Sequence, residues 1–243
     1  PTEGRRSAGG YSDSDMRYAM SFLYQTIKQF LAYTHWAQDD TDTALHLCKA
    51  LRNRGLDRLF EKESAVLSEK MARTAHQSVD FFYRQYQLQL EHWELFRRSN
   101  RGTADALRAA GAARDAYIAS ETLREAAALR AAPGASAEGE HSIYLQATLE
   151  AIKNGHFADK PAVVAYFHCY QMLTTDEAPS ETHFQALYRI LKEHWSLFPS
   201  NESRDLFVMA INYCIRRLNR GAKAYIRSAL DLYRSGLELR VLL

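Results

Sequence analysis

The chain has 243 residues, with 31 basic and 29 acidic side chains and a formal net charge of +2. A charge so close to balance gives no overall field that would attract nucleic acid or an anionic membrane, so any contact of that kind has to be local. Hydrophobic residues make up 47% of the sequence, which is typical of a globular chain and excludes disorder over most of its length.

The N-terminal segment 1–14 has no apolar core of the kind found in signal peptides, and it is predicted to be a disordered or linker N-terminus. No apolar run approaches the roughly 18 residues of a membrane span, so we expect no membrane partner. Three widely spaced cysteines, Cys48, Cys169 and Cys214, lie within apolar helical patterns and are predicted to be buried, reduced thiols. They favour a cytoplasmic protein.

The first apolar pattern has helical spacing and predicts an amphipathic helix. Its members are Met16, Met20, Leu23, Ile27, Phe30 and Leu31. The same period returns in segments 79–93, 184–195 and 226–237, and no segment alternates with the period of a strand. The chain is therefore predicted to be all-α, with about ten helices.

The breaks between these helices carry recognisable stop and start residues. Gly55 and Gly221 each follow basic residues, as expected where a helix ends in a left-handed glycine. Pairing the helices gives units about 40 residues apart, which start near residues 15, 57, 103, 161 and 200. We therefore expect stacked antiparallel hairpins in a TPR-like α–α superhelix, which is a solenoid-like arrangement, with an irregular helical bundle as the alternative.

Segment 131–142 consists mainly of Ala, Gly, Ser and Glu and is predicted to be a flexible loop. It divides the chain into a helical-hairpin lobe over 15–130 and a second lobe over 143–243, which we expect to continue in a longer native chain. The helix before the loop has a stripe formed by Leu107, Ala110, Ala113 and Tyr117. Because these side chains are mostly small, the stripe is predicted to be weak.

The segment "RDLFVMAINYCIRRLNRGAKAYIRSALDLYRSGLE", 204–238, has an apolar first helix, an Asn-Arg-Gly break and a second helix with regular apolar spacing. It resembles a hairpin of the TPR or pentatricopeptide type. Together with "YRQYQLQLEHWELF" and "LRNRGLDRLFEKE", it also resembles an uncharacterised bacterial family of long helical proteins with TPR-like repeats. The resemblance implies a helical scaffold of unknown partner and a continuation after Leu243. No unit contains the full TPR signature, so no binding residue is assigned from it.

Histidine precedes tryptophan three times, at His35-Trp36, His92-Trp93 and His194-Trp195. The pairs suggest either a repeated site or packing at helix ends. Adjacent residues on a helix point about 100° apart, so Glu91 and His92 cannot hold one metal ion from the same face. A half-buried Trp near a helix end fits packing better, and no metal ligand is expected.

A thiol also lies beside a histidine, at His168-Cys169. A nucleophile needs its base within hydrogen-bond reach, whereas neighbouring side chains on a helix diverge. The apolar surroundings of Cys169 instead predict a core residue. We therefore expect no catalytic residue and no cofactor.

The strongest local charge is a basic stretch, formed by Arg216, Arg217, Arg220, Lys223 and Arg227. On a continuous helix four of these cations would form one stripe able to follow a phosphate backbone. Gly221 argues against continuity, and cations in the last turn of a helix are the commoner explanation. The five residues are candidate contacts for a partner or for RNA.

These patterns predict a non-catalytic helical-repeat scaffold that binds a protein or peptide whose identity the sequence does not reveal. The alternative is an RNA-binding helical repeat that uses the basic stretch over 216–227. A third hypothesis, an enzyme with a site assembled from distant His and Glu residues, has no recognisable motif to support it.

Overall fold

The computed structural model describes residues 13–74, 76–98, 104–132, 143–174 and 178–242. All regular structure in these ranges is helical, so the all-α prediction is confirmed. The α-helices are α1 (Asp13–Ala37), α2 (Asp40–Asn53), α3 (Asp57–Arg73), α4 (Val79–Arg98), α5 (Ala104–Ala131), α6 (Leu145–Lys153), α7 (Pro161–Thr174), α8 (Ala178–Glu193), α9 (Ser200–Asn219) and α10 (Tyr225–Glu238), with a short 3₁₀ helix at Trp195–Leu197. No helix in the described ranges is both long and apolar enough to cross a membrane.

Helix ends follow the signals in the sequence. Asp39 caps α2, and its carboxylate accepts hydrogen bonds from the backbone N–H groups of Thr41 and Asp42 at 2.8 and 3.1 Å. Gly55 and Gly221 have φ values of +69° and +91°, in the left-handed region that lets the chain leave a helix without a clash at Cβ. Gly221 thereby separates α9 from α10.

The larger of two hydrophobic clusters joins the start of α4 to helices α5 through α10. Its centre includes Tyr166, Phe184, Phe207 and Tyr213, all 1% exposed or less. The Tyr213 ring stacks on Phe184, and its hydroxyl lies 2.9 Å from the Ser180 hydroxyl. This polar pair is buried but satisfied, as a core requires.

The alanine-rich helix α5 is central to this cluster, contrary to the prediction that its stripe would be weak. It packs along both α4 and α7. Its buried face consists of Ala110, Ala113, Ala116, Ala119, Ser120, Thr122, Leu123, Ala126 and Ala127. Small side chains let neighbouring helices approach closely, so α5 contributes through proximity rather than through large apolar area.

The smaller cluster lies between α2, α3 and α4 and includes Cys48, Phe60 and Leu88. At its edge Arg52 and Glu91 form a mostly buried ion pair between α2 and α4. The two clusters share Phe81, which packs against both.

Helix pairing agrees with the predicted hairpins only in the second half of the chain. Helix α7 packs along α8 and α9 along α10, as the units starting near 161 and 200 predict. In the first half the closely packed consecutive pairs are α2 with α3 and α4 with α5, one helix later than predicted. The reason is α1, which has no buried residue and so does not form half of a packed hairpin.

The predicted boundary between lobes at 131–142 falls mostly outside the described residues. Side chains on both sides of that segment, Leu123 and Tyr166 among them, belong to the larger cluster. The clusters are therefore divided along α4, whereas the division into lobes over 15–130 and 143–243 stays a prediction. Most of the predicted N-terminal linker, residues 1–12, also lies outside the described ranges.

Candidate interaction surface

Helix α1 is the most unusual element of the described structure. It is 25 residues long, and none of its residues is buried. Its large apolar side chains are 45% exposed at Ile27 and up to 77% exposed at Tyr18. The exposed set is Met16, Tyr18, Met20, Phe22, Leu23, Tyr24, Ile27, Phe30, Leu31 and Tyr33. The sequence predicted an amphipathic helix here, but the apolar stripe does not face the core.

The rest of the molecule holds α1 mainly at its C-terminal end. The Trp36 indole packs edge-on against His46 of α2, with Nε1 3.4 Å from the imidazole Nδ1. The Thr43 hydroxyl donates to the Trp36 carbonyl at 3.4 Å. Beyond these contacts α1 packs on no helix closely, so most of its length extends away from both hydrophobic clusters.

Five of the exposed apolar side chains of α1 form a continuous seam. Met16, Met20, Leu23, Ile27 and Phe30 are spaced alternately four and three residues apart. This spacing places them on one side of the helix and is the pattern of side chains that interlock between two packed helices. The surface is therefore suited to another helix.

The central part of α1 carries no charge. Asp13, Asp15 and Arg17 lie in the first turns and Lys28 and His35 in the last part, and no charged residue lies between Tyr18 and Ile27. The middle of the seam can thus be covered without desolvating a charge.

The basic stretch is divided between two helices. Arg216 and Arg217 lie in the last turn of α9, Arg220 follows it, and Arg227 lies in α10. The single stripe that a continuous helix would form is absent here because the left-handed Gly221 ends α9. One of these cations makes a cation–π contact within the protein, because the Arg217 guanidinium lies 5.4 Å from the centre of the Tyr225 ring.

The three His-Trp pairs lie in different surroundings. His35 is exposed in the last turn of α1, and His194 is exposed beyond the end of α8. His92 packs edge-on against Phe60 at 5.3 Å between ring centres, and burial lowers its pKa. Within the described ranges no group of three or more His, Cys, Asp or Glu side chains is arranged to hold a metal ion.

His168 pairs with a histidine that the sequence analysis missed. Its Nδ1 lies 2.8 Å from Nδ1 of His183 across the α7–α8 interface, and Phe167 packs edge-on against both rings. Burial, followed by the proximity of His183, lowers the pKa of His168 to about 4. Both rings are therefore neutral near pH 7, and one N–H donates to the other ring's nitrogen.

Cys169 points the other way, into the larger cluster. It is fully buried, its Sγ lies 3.4 Å from the Met209 sulfur, and burial raises its pKa to about 12. A thiol that stays protonated and inaccessible is a poor nucleophile, in line with the prediction of a core residue.

Glu202 is a buried carboxyl where α9 meets α4 and α5. It is 3% exposed, and Oε1 accepts a hydrogen bond from the Val79 backbone N–H at 3.3 Å and lies 3.9 Å from the Arg124 guanidinium. Burial raises its pKa to about 7, although Arg124 opposes the rise. The acceptor sits at the N-terminus of α4, where a negative charge is favoured.

The chain's likeness to other proteins adds nothing to this geometry: no protein-family model, no curated protein and no solved structure matches it.

Proposed function

We propose that this protein is a non-catalytic interaction module that docks a partner polypeptide through the apolar seam of α1. The observation that carries the proposal is a 25-residue helix with ten large, exposed apolar side chains and no buried residue. At the exposures observed, and with on the order of 150–250 Å² for each aromatic side chain, this set presents roughly 1,000 Å². The largest apolar patch on an ordinary monomer is about 300–600 Å².

The partner is expected to present an apolar helix. The four-three spacing of the α1 seam matches the ridges and grooves of a second helix. A membrane surface fits less well, because helices that lie on anionic membranes carry many cations on their polar face, and α1 has only Arg17 and Lys28 beside two aspartates.

The remaining helices support a scaffold for this docking helix. Tyr188 and Lys192 of α8 bond to Asp231 of α10, and Lys192 also reaches the Ser235 hydroxyl at 2.9 Å. These contacts run in the same order along both helices, as they do where one hairpin stacks on the next. We therefore retain the TPR-like arrangement as a proposal for α7 through α10.

RNA binding through the basic stretch is the weaker alternative. Its cations are distributed over the end of α9, a turn and α10, and the chain's net charge is only +2. Without a single stripe, the contacts that would follow a phosphate backbone are fewer.

Site-directed photo-crosslinking in the cells that make the protein tests the docking proposal. A benzophenone amino acid replaces Phe30 on the seam and, as the matched control, Gln25 on the opposite side of α1. We expect Phe30 adducts on the apolar face of a helix in a polypeptide, with far fewer adducts from Gln25. Equal labelling from both positions, or adducts only with lipid, would contradict the proposal.

A further inference from the structure

Nothing else in this sequence is suited to cover the seam of α1. The residues outside the described ranges are 1–12, 75, 99–103, 133–142, 175–177 and 243. Among them the large apolar side chains are Tyr11 and Leu243 alone. Two such residues are too few to cover the seam, so the residues outside the described ranges do not supply its cover.

We infer that the molecule covering α1 is a second copy of this chain, and that two α1 helices pack antiparallel in a symmetric dimer. The inference rests on the proposed docking role of α1 and names its partner. A twofold dimer requires a surface that is complementary to itself, and the following features of α1 provide it.

The first feature is the register of the seam. When two antiparallel α1 helices overlap along their whole length, position 16 meets 34, position 20 meets 30 and position 23 meets 27. These positions hold Met16 and Thr34, Met20 and Phe30, and Leu23 and Ile27. Full overlap therefore places four of the five seam side chains opposite seam side chains of the other helix, and Met16 opposite Thr34.

The second feature is the distribution of charge. The acids Asp13 and Asp15 lie at the N-terminal end of α1, and Lys28 and His35 lie towards the C-terminal end. Antiparallel packing keeps the acids of the two copies at opposite ends of the helix pair and sets the two helix dipoles in opposite directions, which is favourable. Parallel packing would instead place Asp15 beside its own copy.

The third feature is the attachment of α1. Because Trp36 and His46 hold the helix to α2 at its C-terminal end, antiparallel packing places the two bodies at opposite ends of the helix pair. The seam together with the flanking Tyr24 and Leu31 presents roughly 800 Å² of apolar surface, which is on the order of what each partner buries in a stable interface.

Sedimentation equilibrium over a concentration series tests the inference on the 243-residue chain. We expect a dimer with twice the 27.8 kDa mass of one chain. Changing Leu23→Asp and Ile27→Asp together is expected to weaken the dimer at least about 100-fold, because two charges enter the middle of the seam. Since α1 has no buried residue, this variant should keep the fold of the body, which circular dichroism checks.

The matched control is Ser21→Asp with Gln25→Asp, which adds the same charges to the opposite side of α1 and should leave the dimer intact. Register is tested by mixing differently tagged Met20→Cys and Phe30→Cys chains with a short bismaleimide. Antiparallel packing joins one chain of each kind, whereas parallel packing joins only like chains. The natural cysteines are buried and do not compete.

A chain that stays monomeric up to roughly 100 µM, a dimer that survives the Leu23→Asp and Ile27→Asp change, or crosslinks between like chains only would each overturn this inference. The proposed function is judged separately. Crosslinks from Phe30 to a different polypeptide, with a monomeric chain, would refute self-association but support docking through α1.

Discussion

Glu202 and His168 are ionisable residues whose pKa values are displaced in opposite directions, and both shifts favour the neutral side chain. The carboxyl of Glu202 is held protonated to about pH 7, and the imidazole of His168 is held neutral down to about pH 4. Each shift has burial as its largest cause. Each therefore links the free energy of unfolding to pH, over windows that overlap.

For Glu202 the folded chain keeps a proton that the unfolded chain releases between about pH 4.5 and 7. Stability contributed by this group therefore falls as the pH rises through that window. We compare the free energy of unfolding of Glu202→Gln with that of the wild type at each pH. This difference is expected to be more favourable to the variant at pH 8 than at pH 4.5, by on the order of 2 kcal/mol. Urea unfolding at both pH values measures this. The exposed Glu193→Gln is the control, and an effect independent of pH would show that folding does not raise the pKa of Glu202.

For His168 the unfolded chain takes up a proton between pH 6.5 and about 4 that the folded chain refuses. Stability contributed by this group is complete above pH 6.5 and is lost as the pH falls through that window. When the pH is lowered from 7 to 4.5, the free energy of unfolding of His168→Gln is expected to rise by about 1–2 kcal/mol relative to that of the wild type. The same measurement on the exposed His194→Gln should show no such gain; a gain in both variants would contradict the assignment.

Because the two pH windows overlap and the two effects on stability have opposite slopes, the wild-type curve alone does not separate them. Only differences between variant and wild type do.

The pairing of His168 with His183 could not be predicted from the sequence. The two residues are 15 positions apart, and they meet only because α7 and α8 pack in one particular rotation. Helical periodicity indicates each residue's own face but not the residue opposite.

At the scale of elements, α1 is expected to contribute little to the stability of the body. A chain that begins at Gln38 keeps the Asp39 cap of α2 and loses no buried side chain. We expect its free energy of unfolding to change by less than about 1 kcal/mol, which corresponds to losing the contact between Trp36 and His46. Urea unfolding of the shortened and full chains, at a protein concentration where the full chain is monomeric, measures this. A loss of several kcal/mol would mean that α1 packs on the body.

Helix α5 is expected to be intolerant of larger side chains on its buried face. Ala116 is 1% exposed between neighbouring helices, and Ala112, one turn earlier, is exposed. Ala116→Leu should cost about 1–3 kcal/mol through overpacking, whereas Ala112→Leu should be nearly neutral. Thermal unfolding of both variants compares them. Equal effects would show that α5 does not pack as closely as described.

These elements show how far sequence reasoning reaches. The all-α class followed from periodicity, because an apolar residue every three to four positions has few other solutions. Periodicity did not predict which face of each helix is buried and which is exposed. In α10 the predicted stripe consists of Ile226, Ala229, Leu230, Tyr233 and Leu237. Of these only Ala229 packs against the larger cluster, which Tyr225 and Leu232 enter instead. A helix that is apolar on more than one side has a periodic pattern that does not say which side is covered.

At the scale of the whole molecule, the two hydrophobic clusters meet along α4. The C-terminal part of that helix packs with α2 and α3, and its first turn, at Val79 and Phe82, belongs to the larger cluster. This division could not be predicted from the sequence, because the small alanine side chains of α5 indicated weak packing between the two halves of the chain. Close approach of helices, which composition does not reveal, connects them instead.

The rates at which the three free cysteines are modified report how often each hydrophobic cluster opens transiently. Cys48 lies in the smaller cluster, Cys169 and Cys214 lie in the larger one, and burial raises the pKa of the Cys48 thiol to about 11. A thiol in such a place reacts with a disulfide reagent only while its surroundings are transiently open. The order in which the three react therefore ranks the two clusters by local stability, and we expect Cys48 to react first because fewer apolar residues cover it.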